Sequence, residues 1–271
     1  MSTVEALVLG FVQGLTEFLP ISSSGHLRIV PALLGWEDPG TGFTAVIQLG
    51  TMAAVLLYFR ADLWRIAVAW LRELRVPFRL HSHEANLGWF ILLGTIPISI
   101  FGIIFDNQIE TGARNLYLIG SALILFSFVM VLAEKVGTRR RGLPDMNGRD
   151  GLAIGMAQAL ALIPGVSRSG ATISAGLLRG FDRLAAARYS FLLSVPAVVL
   201  SGLFELRKVG EEGSPSAGAT AIATVVAFVV GYISIAWLLR YLTTHSLRLF
   251  VIYRIALGVL VLALTAAGAI S

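Results

Sequence analysis

Six apolar runs, each close to twenty residues long, are the feature that most constrains how this chain can fold. A helix needs about 20 predominantly apolar residues to cross the hydrocarbon core of a bilayer. The runs do not alternate apolar and polar residues, as the strands of a membrane barrel do. The sequence therefore predicts an all-α polytopic membrane protein. The predicted spanning helices cover residues 43–59, 88–106, 116–134, 184–206, 219–240 and 249–270.

The composition agrees with this class and excludes several others. Hydrophobic residues make up 56% of the chain and charged residues 14%, and the mean hydropathy is +0.80. Soluble domains carry about 25% charged residues. The absence of cysteine excludes disulfides, zinc–thiolate sites and cysteine nucleophiles. Glu5 and the lack of a basic leader lead us to expect no cleaved signal peptide. We attribute the net charge of +5 to cytoplasmic loops and expect no nucleic-acid partner.

Two further apolar segments, residues 4–35 and 152–178, are interrupted by proline and by serine–glycine clusters. Pro20 and Pro31 interrupt the first segment, and Pro164 interrupts the second. We predict that each segment forms a re-entrant pair of short helices that enters the membrane and returns on the same side. Non-helical backbone at that depth must be buried in protein or line a polar cavity.

The two interrupted segments resemble each other. Residues 9–27 read LGFVQGLTEFLPISSSGHL, and residues 154–172 read IGMAQALALIPGVSRSGAT. Each is followed by three predicted spans, and an odd number of spans inverts the second half relative to the first. We therefore predict a single membrane domain, residues 1–271, built as an inverted-topology repeat of residues 1–135 and 150–271.

The loop charges predict the orientation in the membrane. Loops 60–87, 135–151 and 240–248 hold twelve lysines and arginines, whereas the opposite side holds only three. The positive-inside rule places the twelve in the cytoplasm. Both termini and the mouth of the first re-entrant pair then face outward. The second pair enters from the cytoplasm, and we expect the two tips to meet near the middle of the membrane.

The first interrupted segment carries groups that can move protons and bind anions. Gln13 and Glu17 are one helical turn apart and share a face. His26 can donate or accept a proton near neutral pH. Hydroxyls and exposed amides at a helix break can bind an anion, although tight packing and local capping are the alternative for such small residues. The predicted phosphate-binding residues here are Ser22, Ser23, Ser24 and Gly25.

The second interrupted segment surrounds one arginine with small polar residues. Arg168 offers a planar, permanently charged fork that matches phosphate oxygens, and its place at a re-entrant tip makes extension to the interface difficult. Arg254, five residues into the last span, is instead interpreted as extending to the cytoplasmic surface. Gln48 and Gln158 are supporting candidates that can equally bridge helices. The other predicted phosphate-binding residues are Ser167, Ser169, Gly170 and Thr172.

Together these groups predict phosphoryl chemistry at a membrane. Arg168 and loop amides would stabilise charge on the equatorial oxygens while a serine or water attacks in line. Glu17 or His26 would move the proton. Glu17 can alternatively hold a divalent cation that bridges a diphosphate. The sequence leaves the choice between base and metal ligand open.

Three motifs resemble the undecaprenyl-diphosphate phosphatase family of the bacitracin-resistance type: QGLTEFLPISSSGHL at 13–27, VIQLGT at 46–51 and PGVSRSGAT at 164–172. The resemblance covers nearly the whole chain. It implies hydrolysis of undecaprenyl diphosphate to undecaprenyl phosphate and phosphate, which recycles the lipid carrier for peptidoglycan synthesis. It also implies a Mg²⁺ or Ca²⁺ requirement and a site reached from the outer side of the bacterial cytoplasmic membrane. A polyprenyl-phosphate transporter using the same phosphate site is the alternative.

The resemblance also implies roles for individual residues. Glu17 matches the second acidic position of the family's (E/Q)xxxE motif, and Gln13 matches the first, where many members have glutamate. Ser23 matches a serine that acts as nucleophile or phosphate ligand, and His26 matches the motif histidine. Arg168 and its hydroxyl neighbours match the phosphate-binding segment. Whether serine, histidine or water attacks stays open, as does a homo-oligomeric state.

Overall fold

The protein is built from α-helices that account for both the predicted spans and the predicted breaks. A computed structural model describes residues 1–75, 81–105, 108, 114–205 and 216–270, with the backbone alone at residues 41 and 201–205. The helices are α1 (Thr3–Phe18), α2 (Ser23–Leu34), α3 (Gly40–Tyr58), α4 (Arg60–Glu73), α5 (His83–Ile104), α6 (Leu116–Val136), α7 (Gly148–Ala159), α8 (Arg168–Leu178), α9 (Arg183–Glu205), α10 (Ala217–Leu242) and α11 (Arg248–Ala266).

Five of these helices are individually long and apolar enough to cross a membrane, namely α5, α6, α9, α10 and α11. The predicted span 43–59 falls in α3, which supplies a sixth span when it is counted together with α4; the chain bends by 74° between these two helices. The all-α polytopic class is thus confirmed. Parts of the predicted spans and loops, including Arg79, Asp106 and Arg207, lie outside the described residues.

The segment predicted as the first cytoplasmic loop is in large part a helix, α4. Phe59 is its N-cap, Asp62 lies in its first turn, and residues 60–75 contain no proline or glycine. One side is buried through Ile66, while Trp64 is 72% exposed. Its amphipathic pattern explains why a charged stretch that was read as a loop still folds as a helix.

Both interrupted segments are broken at their serine–glycine clusters, as predicted. Ser22 and Ser167 cap the following helices with nearly the same left-handed φ, 78° and 76°. The amide of Gly25 donates to Ser22 Oγ (3.4 Å), and the amide of Gly170 donates to Ser167 Oγ (3.2 Å). The prediction that Pro31 interrupts the first segment is wrong. Pro31 lies within α2, which continues for about one more turn and ends at a left-handed glycine.

Helices of the first half pack closely against helices of the second half through their backbones. A Cβ on Gly10 of α1 would lie 2.4 Å from the carbonyl oxygen of Ala223 on α10, and a Cβ on Gly155 of α7 would lie 2.3 Å from that of Gly94 on α5. Glycine is therefore required at both positions, which correspond to each other in the repeated segments. This reciprocal packing is the arrangement expected of an inverted repeat, although the repeat boundaries stay predictions.

Direct hydrogen bonds hold the two breaks side by side. Ser169 Oγ donates to the carbonyl of Leu19 at 3.0 Å, across from one break to the other. The guanidinium of Arg254, fully buried, lies between both breaks and donates to Ser127 Oγ at 3.2 Å. The prediction that Arg254 extends to the cytoplasmic surface is wrong. Carbonyl groups freed at a helix break need a donor where water is absent, and Arg254 supplies it.

Candidate functional site

A cleft between the two breaks has one polar side drawn from both interrupted segments. Most of the predicted site residues with polar side chains line this cleft. Its polar residues are Gln13, Glu17, Ser22, Ser23, Ser24, Thr44, Gln48, Ser167 and Arg168. Of these, only Thr44 was absent from the sequence-based site, because nothing in its local sequence distinguishes it from other threonines of apolar helices.

The carboxylate of Glu17 is the centre of the polar side. Its Oε1 accepts from Arg168 Nη2 at 2.7 Å and from Gln48 Nε2 at 3.5 Å. Its Oε2 accepts from Ser23 Oγ at 2.6 Å and from Gln13 Nε2 at 3.1 Å. The ion pair between Glu17 and Arg168 joins residues that are 151 positions apart in the chain. Each interrupted segment therefore contributes one charged half of a single site.

Helix ends position these side chains. Glu17 lies in the last turn of α1, Ser23 is the first residue of α2, and Arg168 is the first residue of α8. Ser23 and Arg168 therefore occupy equivalent positions after equivalent caps, one presenting a hydroxyl and the other a guanidinium. The first amides of a helix lack intrahelical partners and carry a partial positive charge, which favours an anion between the two N-termini.

Two buried polar atoms in the cleft have no partner among the described residues. They are Arg168 Nη1, a donor, and Gln13 Oε1, an acceptor. An unsatisfied buried polar group costs about 1–3 kcal/mol, so a ligand that supplies both partners would recover that cost. One free donor fits a phosphate oxygen, and one free acceptor fits a cation.

The rest of the cleft lining is an apolar wall, which the sequence analysis missed. Leu162 takes the position in the second interrupted segment that Glu17 takes in the first. The wall consists of Ile98, Ala161, Leu162, Ala197 and Val198. These residues come from three separate elements, so no local pattern indicates that they meet. A lining that combines polar and apolar residues matches a molecule with an anionic head and an apolar tail.

His26 lies beside the cleft but is not among the residues that line it. Its Nδ1 donates to the carbonyl of Ser22 at 2.7 Å, and Tyr253 Oη donates to its Nε2 at 2.6 Å. Both ring nitrogens are therefore engaged within the protein. The predicted proton-transfer role of His26 stays a prediction that this geometry does not favour.

The remaining predicted residues support the breaks rather than line the cleft. Thr172 Oγ1 forms a hydrogen bond with Ser190 Oγ at 2.6 Å, and Gln158 is fully buried with neither amide atom paired in the described part of the chain. Both side chains are buried outside the cleft lining. The residues outside the lining are Gly25, His26, Gln158, Ser169, Gly170 and Thr172.

The polar side can hold a hard divalent cation only with help from a ligand. No group of three or more His, Asp or Glu side chains converges anywhere in the described residues. Gln13 Oε1 and the Glu17 carboxylate nevertheless supply neighbouring oxygen donors, the kind that Mg²⁺ and Ca²⁺ prefer. Magnesium sites often combine one carboxylate with substrate phosphate oxygens and water, and this donor set fits that pattern.

The fold and the site together define a class. The protein is a multi-pass helical membrane protein with a partly polar cleft between two broken helix pairs. Its sequence matches the family model described as bacitracin resistance protein BacA over residues 6–260, and the chain belongs to this family.

Curated relatives are similar to the chain over almost its full length. The undecaprenyl-diphosphatase of Nocardioides sp. is 53% identical over 99% of this chain and 98% of the relative. The undecaprenyl-diphosphatase of Kineococcus radiotolerans is 55% identical over 100% of this chain and 96% of the relative. The undecaprenyl-diphosphatase of Mycolicibacterium smegmatis is 52% identical over 100% of this chain and 99% of the relative.

Proposed function

We propose that the protein hydrolyses undecaprenyl diphosphate to undecaprenyl phosphate and inorganic phosphate. The observation that carries this proposal is the 2.6 Å hydrogen bond from Ser23 Oγ to Glu17 Oε2, with Arg168 held on the other carboxylate oxygen. A hydroxyl within hydrogen-bond reach of a base is the arrangement of an activated nucleophile. The names of the relatives and the family support the same substrate.

Substrate binding uses both sides of the cleft. The diphosphate accepts hydrogen bonds from Arg168 Nη1 and from the hydroxyls of Ser22 and Ser24, next to the N-termini of α2 and α8. The first isoprene units lie along the apolar wall formed by Ile98, Leu162 and their neighbours. As the phosphate engages the Arg168 guanidinium, the ion pair with Glu17 weakens and frees one carboxylate oxygen.

The chemistry proceeds in two displacements. Ser23 Oγ attacks the terminal phosphorus, and Glu17 takes the hydroxyl proton. The new O–P bond replaces the phosphoanhydride bond, and undecaprenyl phosphate leaves. Water then attacks the phosphoserine and releases inorganic phosphate, and a proton returns to Ser23 through Glu17. Arg168 stabilises the charge on the equatorial oxygens in both steps.

Gln13 and Glu17 would hold the divalent cation that we propose as cofactor, Mg²⁺ or Ca²⁺. When bound, such an ion would neutralise part of the diphosphate charge. Gln13 would contribute through its amide oxygen, which has no hydrogen-bond partner among the described residues.

We further propose that the protein lies in the bacterial cytoplasmic membrane with the cleft open to the outer side. The arginines of α4 and of residues 139–141 support a cytoplasmic location for those segments. Phosphate release there returns the lipid carrier to peptidoglycan synthesis and competes with agents that bind its diphosphate form. The hydrogen bond between Ser23 and Glu17 favours hydrolysis over transport, because a transport site needs no nucleophile beside a base.

Phosphate release from undecaprenyl diphosphate by purified protein in detergent tests this proposal. We expect release that a chelator stops, and loss of release in Ser23→Ala and Arg168→Ala. Ser246→Ala, at a partly exposed serine outside the cleft lining, should retain it. Acid-quenched turnover should leave one phosphate on Ser23, detectable by mass spectrometry. No release by the unmodified protein would refute hydrolysis, and flux of polyprenyl phosphate into sealed vesicles without hydrolysis would support a transporter. Full turnover by Ser23→Ala would make water the nucleophile.

A further inference from the structure

The environment of His26 fixes which of its nitrogens carries a proton. Nδ1 lies 2.7 Å from the carbonyl oxygen of Ser22, which can only accept, so Nδ1 must donate. Nε2 of the neutral ring is then an acceptor, and Tyr253 Oη at 2.6 Å donates to it. The two rings are nearly parallel, with an interplanar angle of 9° and centroids 5.6 Å apart. The imidazole thus links α11 to the cap of α2.

The group that His26 holds is a strained peptide. Ser22 is a non-glycine residue with φ of 78°, a conformation that costs about 1–3 kcal/mol and persists only where the surroundings maintain it. Its carbonyl accepts both the amide of His26 at 3.2 Å and the ring Nδ1. That carbonyl belongs to the peptide that joins Ser22 to Ser23. Its orientation therefore determines where the hydroxyl of Ser23 points.

The second helix break, at Ser167, has no imidazole on the carbonyl of its cap residue. Ser167 has the same φ, but Ala171 takes the position of His26, and only its backbone amide contacts the Ser167 carbonyl. The residue after that cap is Arg168, whose long side chain reaches Glu17 over several rotatable bonds. Ser23 has a single side-chain rotation, so the peptide before it must be placed more precisely. The imidazole occurs at the break that presents the short side chain.

We propose that Tyr253 and His26 are positioning residues that hold the Ser22 carbonyl and thereby keep Ser23 Oγ against Glu17. In this arrangement His26 does not transfer a proton to or from the substrate. The inference rests on the proposed hydrolysis, because it assigns Ser23 as the group that must be positioned.

Substitution of His26 separates positioning from proton transfer. The amide of His26→Asn can replace the Nδ1 donor but cannot carry a proton between groups, whereas His26→Ala does neither. We expect His26→Asn to retain kcat within about 10-fold and His26→Ala to lose about 100-fold, the loss typical of a displacement of about 1 Å, with little change in KM. Equal, severe loss of kcat in both variants would overturn the inference, because general acid–base catalysis contributes about 10²–10⁴-fold.

Removal of the Tyr253 hydroxyl tests whether Tyr253 helps to position His26. Tyr253→Phe should lower kcat about 3- to 10-fold at unchanged KM, a loss equivalent to one modest hydrogen bond. Tyr117→Phe is the matched control, because Tyr117 is a similarly exposed tyrosine, 52% against 43%, in the first turn of another helix. An unchanged kcat in Tyr253→Phe would remove Tyr253 from the proposal.

The ¹⁵N NMR spectrum of the imidazoles in full-length protein in nanodiscs gives a readout independent of turnover. The chain has four histidines, and His26→Asn identifies the signal of His26 by its loss. We expect a neutral ring protonated on Nδ1 at pH 7, with the Nε2 signal shifted in Tyr253→Phe. A ring protonated on Nε2 alone would overturn the inference, because Nδ1 would then have no proton to donate to the Ser22 carbonyl. Failure of the unmodified protein to release phosphate would instead refute the proposed function.

Discussion

Arg254 donates to one carbonyl of each helix break, from Nη1 to Pro20 at 3.3 Å and from Nη2 to Gly165 at 2.9 Å. These carbonyls belong to the two interrupted segments, in which the helices after the breaks begin at Ser23 and Arg168. A single guanidinium on α11 therefore fixes the distance between the two halves of the site. Its planar fork, with donors on separate nitrogens, makes this possible.

We expect Arg254→Ala to lower the free energy of unfolding by about 2–6 kcal/mol, because the buried carbonyls of Pro20 and Gly165 each lose a donor, at a cost of about 1–3 kcal/mol per unsatisfied group. Arg254→Lys keeps the charge but cannot contact both carbonyls with one ammonium group, so an intermediate loss is expected. Thermal unfolding in detergent and phosphate release measure the two effects. Arg248→Ala, an exposed arginine of the same helix, is the control. Unchanged stability and activity in Arg254→Ala would show that other groups hold the breaks together.

Arg168→Ala should lower kcat/KM by at least about 10²–10³-fold, the cost of removing one group that stabilises transition-state charge. The protein should remain folded, because Arg168 lines the cleft whereas Arg254 is packed within the core. Arg168→Lys should recover little, since an ammonium cannot replace a bidentate fork. Kinetics alongside circular dichroism distinguish lost chemistry from lost structure. Activity near that of the unmodified protein would exclude Arg168 from the site.

Gln13→Glu should reduce the half-saturating concentration of Mg²⁺ or Ca²⁺ by about 10-fold, because a second carboxylate next to Glu17 strengthens an oxygen site. Gln13→Leu should raise it, since the free Oε1 is lost. Titration of phosphate release with metal measures both changes. Gln158→Leu is the matched control, because Gln158 lies outside the cleft lining and its amide has no partner in the described residues. The same metal dependence in all three variants would contradict the proposed cation site.

We expect the protein to lose stability in acid through Asp150. This residue lies in the first turn of α7, outside the helices that can span a membrane. Burial raises the pKa of this carboxyl, but hydrogen bonds from Arg141, Arg179 and the Asn147 amide outweigh burial and hold the pKa below its ordinary 3.8. A carboxyl with a lowered folded-state pKa contributes its full stabilisation above the unfolded value and loses it as the pH falls through the folded value.

Asp150→Asn should therefore lower the free energy of unfolding at pH 7 by about 2 kcal/mol, less than for a fully buried pair because both arginines are partly exposed. The difference between the variant and the unmodified protein should shrink as the pH falls below about 4. Thermal unfolding between pH 7 and pH 3 measures it. A difference that is constant over this range would mean that Asp150 acts through packing and not through its charge.

The sequence predicted the helical class and the location of both breaks because each follows from local chemistry. Apolar length indicates spanning helices, and serine and glycine after an apolar helix indicate a cap. The location of Pro31 within α2 and the helical structure of α4 were not predicted, since packing outweighs local preference at such positions. The apolar wall was missed for a different reason: its residues belong to three separate elements, and none is chemically distinctive alone.

The sequence by itself determined which groups are available: one carboxylate at Glu17, one guanidinium at the tip of the second segment, and hydroxyls at both breaks. These follow from residue identity and from the cost of polar groups in hydrocarbon. Only the tertiary structure decided which of them meet. It placed Ser23 and Arg168 on opposite oxygens of Glu17, turned His26 toward Tyr253, and buried Arg254 between the breaks. The physical reason is that freed backbone carbonyls must find donors inside the protein, and those donors come from distant helices.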